Sequence, residues 1–268
     1  MRVMTYNIKT GGYDGSRGTR LEAIAEVIGS ALPDVVALQE LRGDSGPWLA
    51  ERLGMRMIRA RSSWGQPVAV LVGPEWTVLT AGSVARPFHH AAARVELATL
   101  GGPLTVFSAH LHPHWGWRRL HEARWLVNAV GRTRQALVLG DLNTLDPWTD
   151  HQERLAALPA AYRVRHLRWR PLGRARSERD VSTVARVDTR AVAALDAAGL
   201  VDVFRAVGDG PAETAPTALG GAEFSGMRLD YLFATPALVD RLRSCHIVRT
   251  PAADRASDHY PVIAEIDL

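Results

Sequence analysis

The feature that most limits how this chain can fold is a set of six short apolar runs, each with an ionisable or amide side chain at one end. Runs of this length, rich in Val and Leu and separated by helical spacing or loop, read as buried strands. Residues 2–8, 35–38, 104–109, 136–139, 229–233 and 260–266 are the six, and 68–72 and 93–97 are two more without such an end. Between them a helix opens at Thr19, where Thr19 and Glu22 form a capping box and Leu21, Ile24, Ala25 and Ile28 make one face, until Pro33 stops it. Leu120, Ala123, Val127 and Val130 set a second helix over 120–130. Asp188 caps a third that ends at Gly199, and Thr235 with Pro236 starts a short one.

The ends of the runs collect chemistry. Asn7 closes the first, Glu40 the second, His110 the run 104–109, and Asp141 and Asn143 the run 136–139; Asp230 lies in the next, and Asp258 with His259 precedes the last. Singly, an Asp or Asn beside a strand is usually a turn former, Glu40 a surface charge and His110 a satisfied core histidine. Together, four carboxylates, two amides and two imidazoles form one constellation. Buried side by side, unpaired carboxylates would cost several kcal/mol each, and a divalent cation offsets that cost. Oxygen donors in a chain whose only cysteine is Cys245 suit a hard ion, Mg²⁺ or Mn²⁺, and such ions meet substrate phosphates. Metal-assisted attack of water on phosphorus follows.

At these residues the sequence resembles the endonuclease/exonuclease/phosphatase superfamily. The segments that carry the resemblance are Met4-Thr5-Tyr6-Asn7-Ile8, Leu38-Gln39-Glu40, Ser108-Ala109-His110-Leu111, Gly140-Asp141-Leu142-Asn143, Arg228-Leu229-Asp230-Tyr231 and Ser257-Asp258-His259-Tyr260-Pro261, in family order. The resemblance implies an α+β fold, a four-layered α/β sandwich in which two mainly antiparallel sheets pack face to face with helices outside. It implies Glu40 as principal metal ligand with Asn7 and Asp258 beside it, and His259 over the scissile phosphate, oriented by Asp230. Asp141 would orient or deprotonate the attacking water, while Asn143 and His110 would donate to phosphoryl oxygens. Leu41-Arg42 after Glu40, and Ile8-Lys9 after Asn7, depart from the abasic-site branch and match the broad bacterial metal-dependent hydrolases better.

Composition narrows the partners. Of 32 basic residues only Lys9 is a lysine, so the formal charge of +4 is carried by arginine, which suits phosphate. His112, His114, Trp115, Trp117, Arg118 and Arg119 crowd the stretch 112–119, and nine arginines fall in 163–190; both read as substrate-side loops. From them, His112, Trp115, Trp117 and Arg118 are expected to bind substrate, together with Arg228. Stacking of bases on Trp115 and Trp117 favours DNA, RNA or a nucleotide. The leading reading is therefore a Mg²⁺-dependent, nuclease-like phosphodiesterase. A phosphomonoesterase or a small-molecule or lipid phosphodiesterase is the second, and a catalytically silent binding module the third.

No run approaches the roughly 20 apolar residues of a membrane span. The start of the chain has no signal-peptide core, which gives a cytoplasmic expectation with export from a trimmed precursor left open. With 268 residues and no repeat or linker, residues 1–268 are expected to be one domain and the protein a monomer.

Overall fold

The computed structural model describes residues 1–15, 18–62, 64–168 and 186–268. Among the described residues there are fourteen strands: β1 (Arg2–Asn7), β2 (Val35–Gln39), β3 (Arg56–Ala60), β4 (Val68–Val72), β5 (Val78–Ser83), β6 (Ala91–Leu97), β7 (Leu104–His110), β8 (Ala136–Asp141), β9 (Leu167–Arg168), β10 (Arg186–Val187), β11 (Val201–Asp202), β12 (Asp230–Ala234), β13 (Leu242–Ile247) and β14 (Val262–Ile266). Among the described residues the α-helices are α1 (Leu21–Ala31), α2 (Ser45–Leu53), α3 (Gly116–Val130), α4 (Gln152–Ala157), α5 (Ala160–Arg163), α6 (Arg190–Ala197), α7 (Val203–Val207) and α8 (Ala253–Ala256).

Two six-stranded sheets carry the fold, in the orders β13-β14-β1-β2-β4-β3 and β11-β12-β8-β7-β6-β5. Each contains one parallel pair, β1 with β2 and β7 with β8, and is otherwise antiparallel, as the sequence led us to expect.

The period-two alternation of strand side chains divides two cores. In the second sheet Val106, Leu137, Leu139 and Leu232 turn inward to the core shared with the first sheet. Their neighbours Phe107, Val138 and Phe233 turn outward, where Ala123, Leu126 and Val130 of α3 and Val192 and Leu195 of α6 cover them. Each fully buried Leu or Phe contributes about 1.5–3 kcal/mol. On the far side α1 lays Ile24, Val27 and Ile28 against the first sheet. The result is the four-layered sandwich. Because 108 and 110, 141, and 230 share the parity of 106, 137 and 232, Ser108, His110, Asp141 and Asp230 also face the space between the sheets.

Several local expectations need correction. Thr19 does not cap α1: it bridges to Tyr13, and the helix starts at Leu21 after Arg20, with no side-chain cap. The second helix begins at Gly116, not 120, so the stretch 112–119 is a loop only as far as Trp115. Asp188 lies one residue before the N-cap Thr189, although its Oδ1 accepts from Arg190 N at 3.3 Å. Of the stretch 163–190, residues 169–185 lie outside the described residues, and the parts on either side include a short 3-10 turn and the antiparallel pair β9 and β10. No helix among the described residues is long and apolar enough to cross a membrane.

Candidate active site

Strand register gathers the constellation. His110 pairs with Asp141 across β7 and β8, and Asp141 with Asp230 across β8 and β12, so the three occupy one rung at the end of the second sheet. Gly140 makes the rung possible: it sits at φ 153°, and a Cβ there would lie 1.8 Å from the Ala109 carbonyl oxygen. The first sheet meets this rung edge-on through Asn7, whose Nδ2 donates to Asp141 Oδ2 at 2.9 Å and to Glu40 Oε1 at 3.2 Å. Its Oδ1 accepts from Lys9 N at 3.0 Å, so the Asn7 amide offers hydrogens, not oxygen, to the carboxylates. Beneath them a buried polar ladder ties the sheets together: Thr5 Oγ1 donates to Gln39 Oε1 at 3.2 Å and Gln39 Nε2 to Ser108 Oγ at 3.2 Å.

Glu40 follows β2 with a left-handed φ of 61°. Such strain in a non-glycine persists where the surroundings fix it, and it often marks a working residue. Here it turns the carboxylate to the mouth, where Oε2 accepts from Thr10 N at 2.8 Å. Asn143 has a φ of 50°, with its backbone N donating to Asp141 Oδ1 at 2.8 Å and Nδ2 to the Leu111 carbonyl at 3.1 Å.

His259 Nδ1 lies 2.7 Å from Asp230 Oδ2, which leaves Nε2 facing Asp141 Oδ2 at 3.9 Å. Thr214 Oγ1 accepts from the Asp230 backbone N at 3.2 Å and fixes the carboxylate's strand. Burial by itself would lower the His259 pKa; the charge of Asp230 and the bond to it outweigh this and hold the imidazole protonated well above its ordinary range. Burial, with the charge of Asp230 added, raises the Asp141 carboxyl. His110, its Nε2 3.5 Å from Asp141 Oδ2, is lowered by burial and is neutral. The His90 ring stacks on it at 3.8 Å between centroids, 2° from parallel.

These side chains surround a pocket of about 260 Å³ whose lining includes Glu40, His110, Asp141, Asn143, Asp258 and His259. Phe224 stands edge-on to His259, with ring centroids 5.3 Å apart. Asp141, Asp230 and His259 each offer a ligand atom within 4.8 Å of the others, and Asp230 Oδ1 is buried with no hydrogen-bond partner. His259, protonated against Asp230, has no free lone pair, so the groups that fit a hard divalent cation are the carboxylates lining the pocket, Glu40, Asp141 and Asp258.

The five residues expected to bind substrate take other places, and none lines this pocket. Arg228 is buried, its guanidinium set on Asp202 at 2.6 and 3.3 Å and 4.5 Å from the Tyr231 ring centroid. Arg118 is held by Glu122 at 3.4 Å and by the Pro87 carbonyl. His112 is buried and shapes its loop, Nδ1 accepting from His114 N at 3.0 Å and Trp115 N at 3.1 Å. Trp115 and Trp117 are more than half exposed and stack 6.1 Å apart on a neighbouring groove of about 890 Å³. That groove is larger than this pocket but holds none of the constellation; Arg165 lines both. Sequence reasoning missed Lys9, His90 and Phe224 at the mouth. Lys9 carried a signal as the chain's single lysine; the other two carried none.

The Endonuclease/Exonuclease/phosphatase family model matches residues 4–259, and the chain belongs to that family of phosphoester hydrolases. No curated protein matches the sequence. Among solved structures, the fold is similar to an endonuclease/exonuclease/phosphatase from Bacteroides vulgatus (17% identity, TM-score 0.73, covering 100% of this chain and 98% of that one). It is similar also to a mannosyl-6-phosphatase from Bacteroides thetaiotaomicron (15% identity, TM-score 0.70, 100% of both chains). A third likeness is to a humanized D. rerio TDP2 (15% identity, TM-score 0.67, 100% and 99%).

Proposed function

We propose that this protein is a divalent-metal-dependent phosphodiesterase of nuclease-like type, with Mg²⁺ or Mn²⁺ as its ion. The observation that carries the reading is the rung His110, Asp141 and Asp230 with His259 bonded to its last member. Glu40, held by Asn7 and Thr10, would keep the cation; when bound, the cation would polarise the phosphoryl oxygen and stabilise the leaving oxygen. The chain's own groups supply the rest. Asp141, facing the pocket with a raised pKa, positions water and accepts its proton. His259, kept cationic by Asp230, donates to a non-bridging phosphoryl oxygen from Nε2. Neutral His110 and Asn143 line the same pocket as further polar groups for the phosphoryl oxygens.

A diester is favoured because Arg165 lines both the pocket and the neighbouring groove where Trp115 and Trp117 stack, a surface on which a leaving group could lie. Single-stranded nucleic acid or a nucleotide diester is the substrate class that aromatic pairs accept. The test is a panel with Mn²⁺: supercoiled plasmid, single-stranded RNA, bis-p-nitrophenyl phosphate, p-nitrophenyl phosphate and a sugar phosphate. Cleavage of diesters supports the reading. Turnover confined to the monoesters replaces it with a phosphatase.

A further inference from the structure

Arg165, Arg168 and Arg190 line the groove beside Trp115 and Trp117, and they differ in how their charge is met. Arg190 is taken up by Asp188, with Nε donating to Oδ1 at 2.8 Å and Nη2 to Oδ2 at 2.7 Å. Among the described residues no carboxylate pairs with Arg165 or Arg168. Of the three, Arg165 alone also lines the pocket that holds Glu40, Asp141 and His259. A buried or half-buried cation without a carboxylate is a group whose partner is to be sought outside the chain.

Both the backbone and the side chain of Arg165 are held. Its carbonyl accepts from Nη2 of Arg119, a side chain only 1% exposed, whose Nη1 also reaches the carbonyls of His112 and Pro113 at 3.3 and 3.4 Å. One buried guanidinium thus ties the segment of Arg165 to the loop that carries Trp115. Gly116 permits the close packing around it, since a Cβ there would lie 1.7 Å from Asp188 Oδ2 and 3.4 Å from Arg119 Nη2. At its other end, Arg165 Cζ lies 4.6 Å from the centroid of the Tyr162 ring, a contact that steadies the guanidinium without using its N–H donors. Burial lowers the pKa of His114 in the groove and of His166 in the pocket, and the charge of Arg165 adds to the effect in both, so this charge is felt in both cavities. A planar, weakly hydrated fork of donors matches the oxygens of a phosphate.

We infer that Arg165 binds a second phosphate of the substrate, on the groove side of the one that is cut, so that the enzyme prefers diesters carrying a further phosphate. The inference rests on the phosphodiesterase reading, and its test separates the two. Cleavage of bis-p-nitrophenyl phosphate and of the thymidine dinucleotides TpT, pTpT and TpTp is measured with Mn²⁺ for the wild type and Arg165→Gln. In the wild type one of the two terminal phosphates is expected to raise kcat/KM over that of TpT by about tenfold or more, through KM, the size of one charge-assisted contact. In Arg165→Gln that ratio should fall to about one. Because Arg119 holds Arg165 by its carbonyl, the substitution leaves the tie between the two loops in place. Should the variant fail to fold all the same, the wild-type ratios decide alone. Cleavage of bis-p-nitrophenyl phosphate with no gain from either terminal phosphate, or a gain that Arg165→Gln retains, overturns the role of Arg165 and leaves the phosphodiesterase reading standing. No cleavage of any of the four diesters overturns both.

Discussion

Asn7, at the end of β1, donates from Nδ2 to Asp141 Oδ2 at 2.9 Å, a buried hydrogen bond between residues 134 apart that joins the two sheets at the mouth of the site. Asp141 is held on one oxygen by this bond and on the other by the Asn143 backbone N.

Replacing Asn7 by Ala leaves a buried carboxylate short of a charge-assisted bond. A loss of about 2 kcal/mol in unfolding free energy is expected in urea titration. A change below about 0.5 kcal/mol, the range of a bland surface substitution, would mean that the bond does not hold the sheets together.

Asp230→Asn keeps the shape but cannot hold His259 as a cation. The expected effect is a fall in kcat for a phosphodiester of about 10²–10⁴-fold with KM little changed, as when the carboxylate behind a catalytic imidazole is neutralised. A loss of less than tenfold would remove the Asp230–His259 pair from the chemistry.

Burial pushes the imidazoles of His90 and His166 down to about 3, so both are neutral in the fold. In the unfolded chain each takes a proton near its ordinary value of 6.5. Because the unfolded state then binds more protons, stability is full above that pH and falls as pH drops from about 6.5 towards 3, by up to about 1.4 kcal/mol per pH unit for each histidine. Urea titrations between neutral and mildly acid pH should show this slope, and His166→Gln should make it shallower. An unchanged slope in that variant would contradict the assignment.

Cys245 is free and buried in β13, and burial pushes its thiol up to about 12. Ellman's reagent should leave the folded protein unmodified at mildly alkaline pH and titrate one thiol after denaturation. Rapid reaction of the native chain would show that β13 opens.

Much of the site could be read from sequence because strand ends repeat their own signal. Asn7, Glu40, His110, Asp141 and Asp230 each interrupt an apolar run at its end, and the parity that buries Val106, Leu137 and Leu232 brings three of them to one face. What failed depended on distant partners. Arg228 stands beside the Leu229-Asp230 motif and looked ready for substrate, yet its partner is Asp202, 26 residues away with no local cue. Thr19 looked like a cap because Glu22 follows at the right interval; its backbone is taken by the bridge to Tyr13. α2 was hidden by its Ser45-Gly46-Pro47 start, which reads as a turn. β3 and β5 lie at sheet edges, where exposure weakens the apolar pattern.

The central claim is that the Asp141, Asp230 and His259 cluster hydrolyses a phosphodiester with a divalent ion held at Glu40. Its most direct test is the rate of bis-p-nitrophenyl phosphate cleavage by wild type, Glu40→Gln and His259→Ala, each with Mn²⁺ and with EDTA. The account expects wild-type turnover that EDTA abolishes, partial recovery of Glu40→Gln as Mn²⁺ is raised, and loss of orders of magnitude in His259→Ala at every Mn²⁺ concentration. Turnover that survives EDTA, or a His259→Ala variant close to wild type, would contradict it.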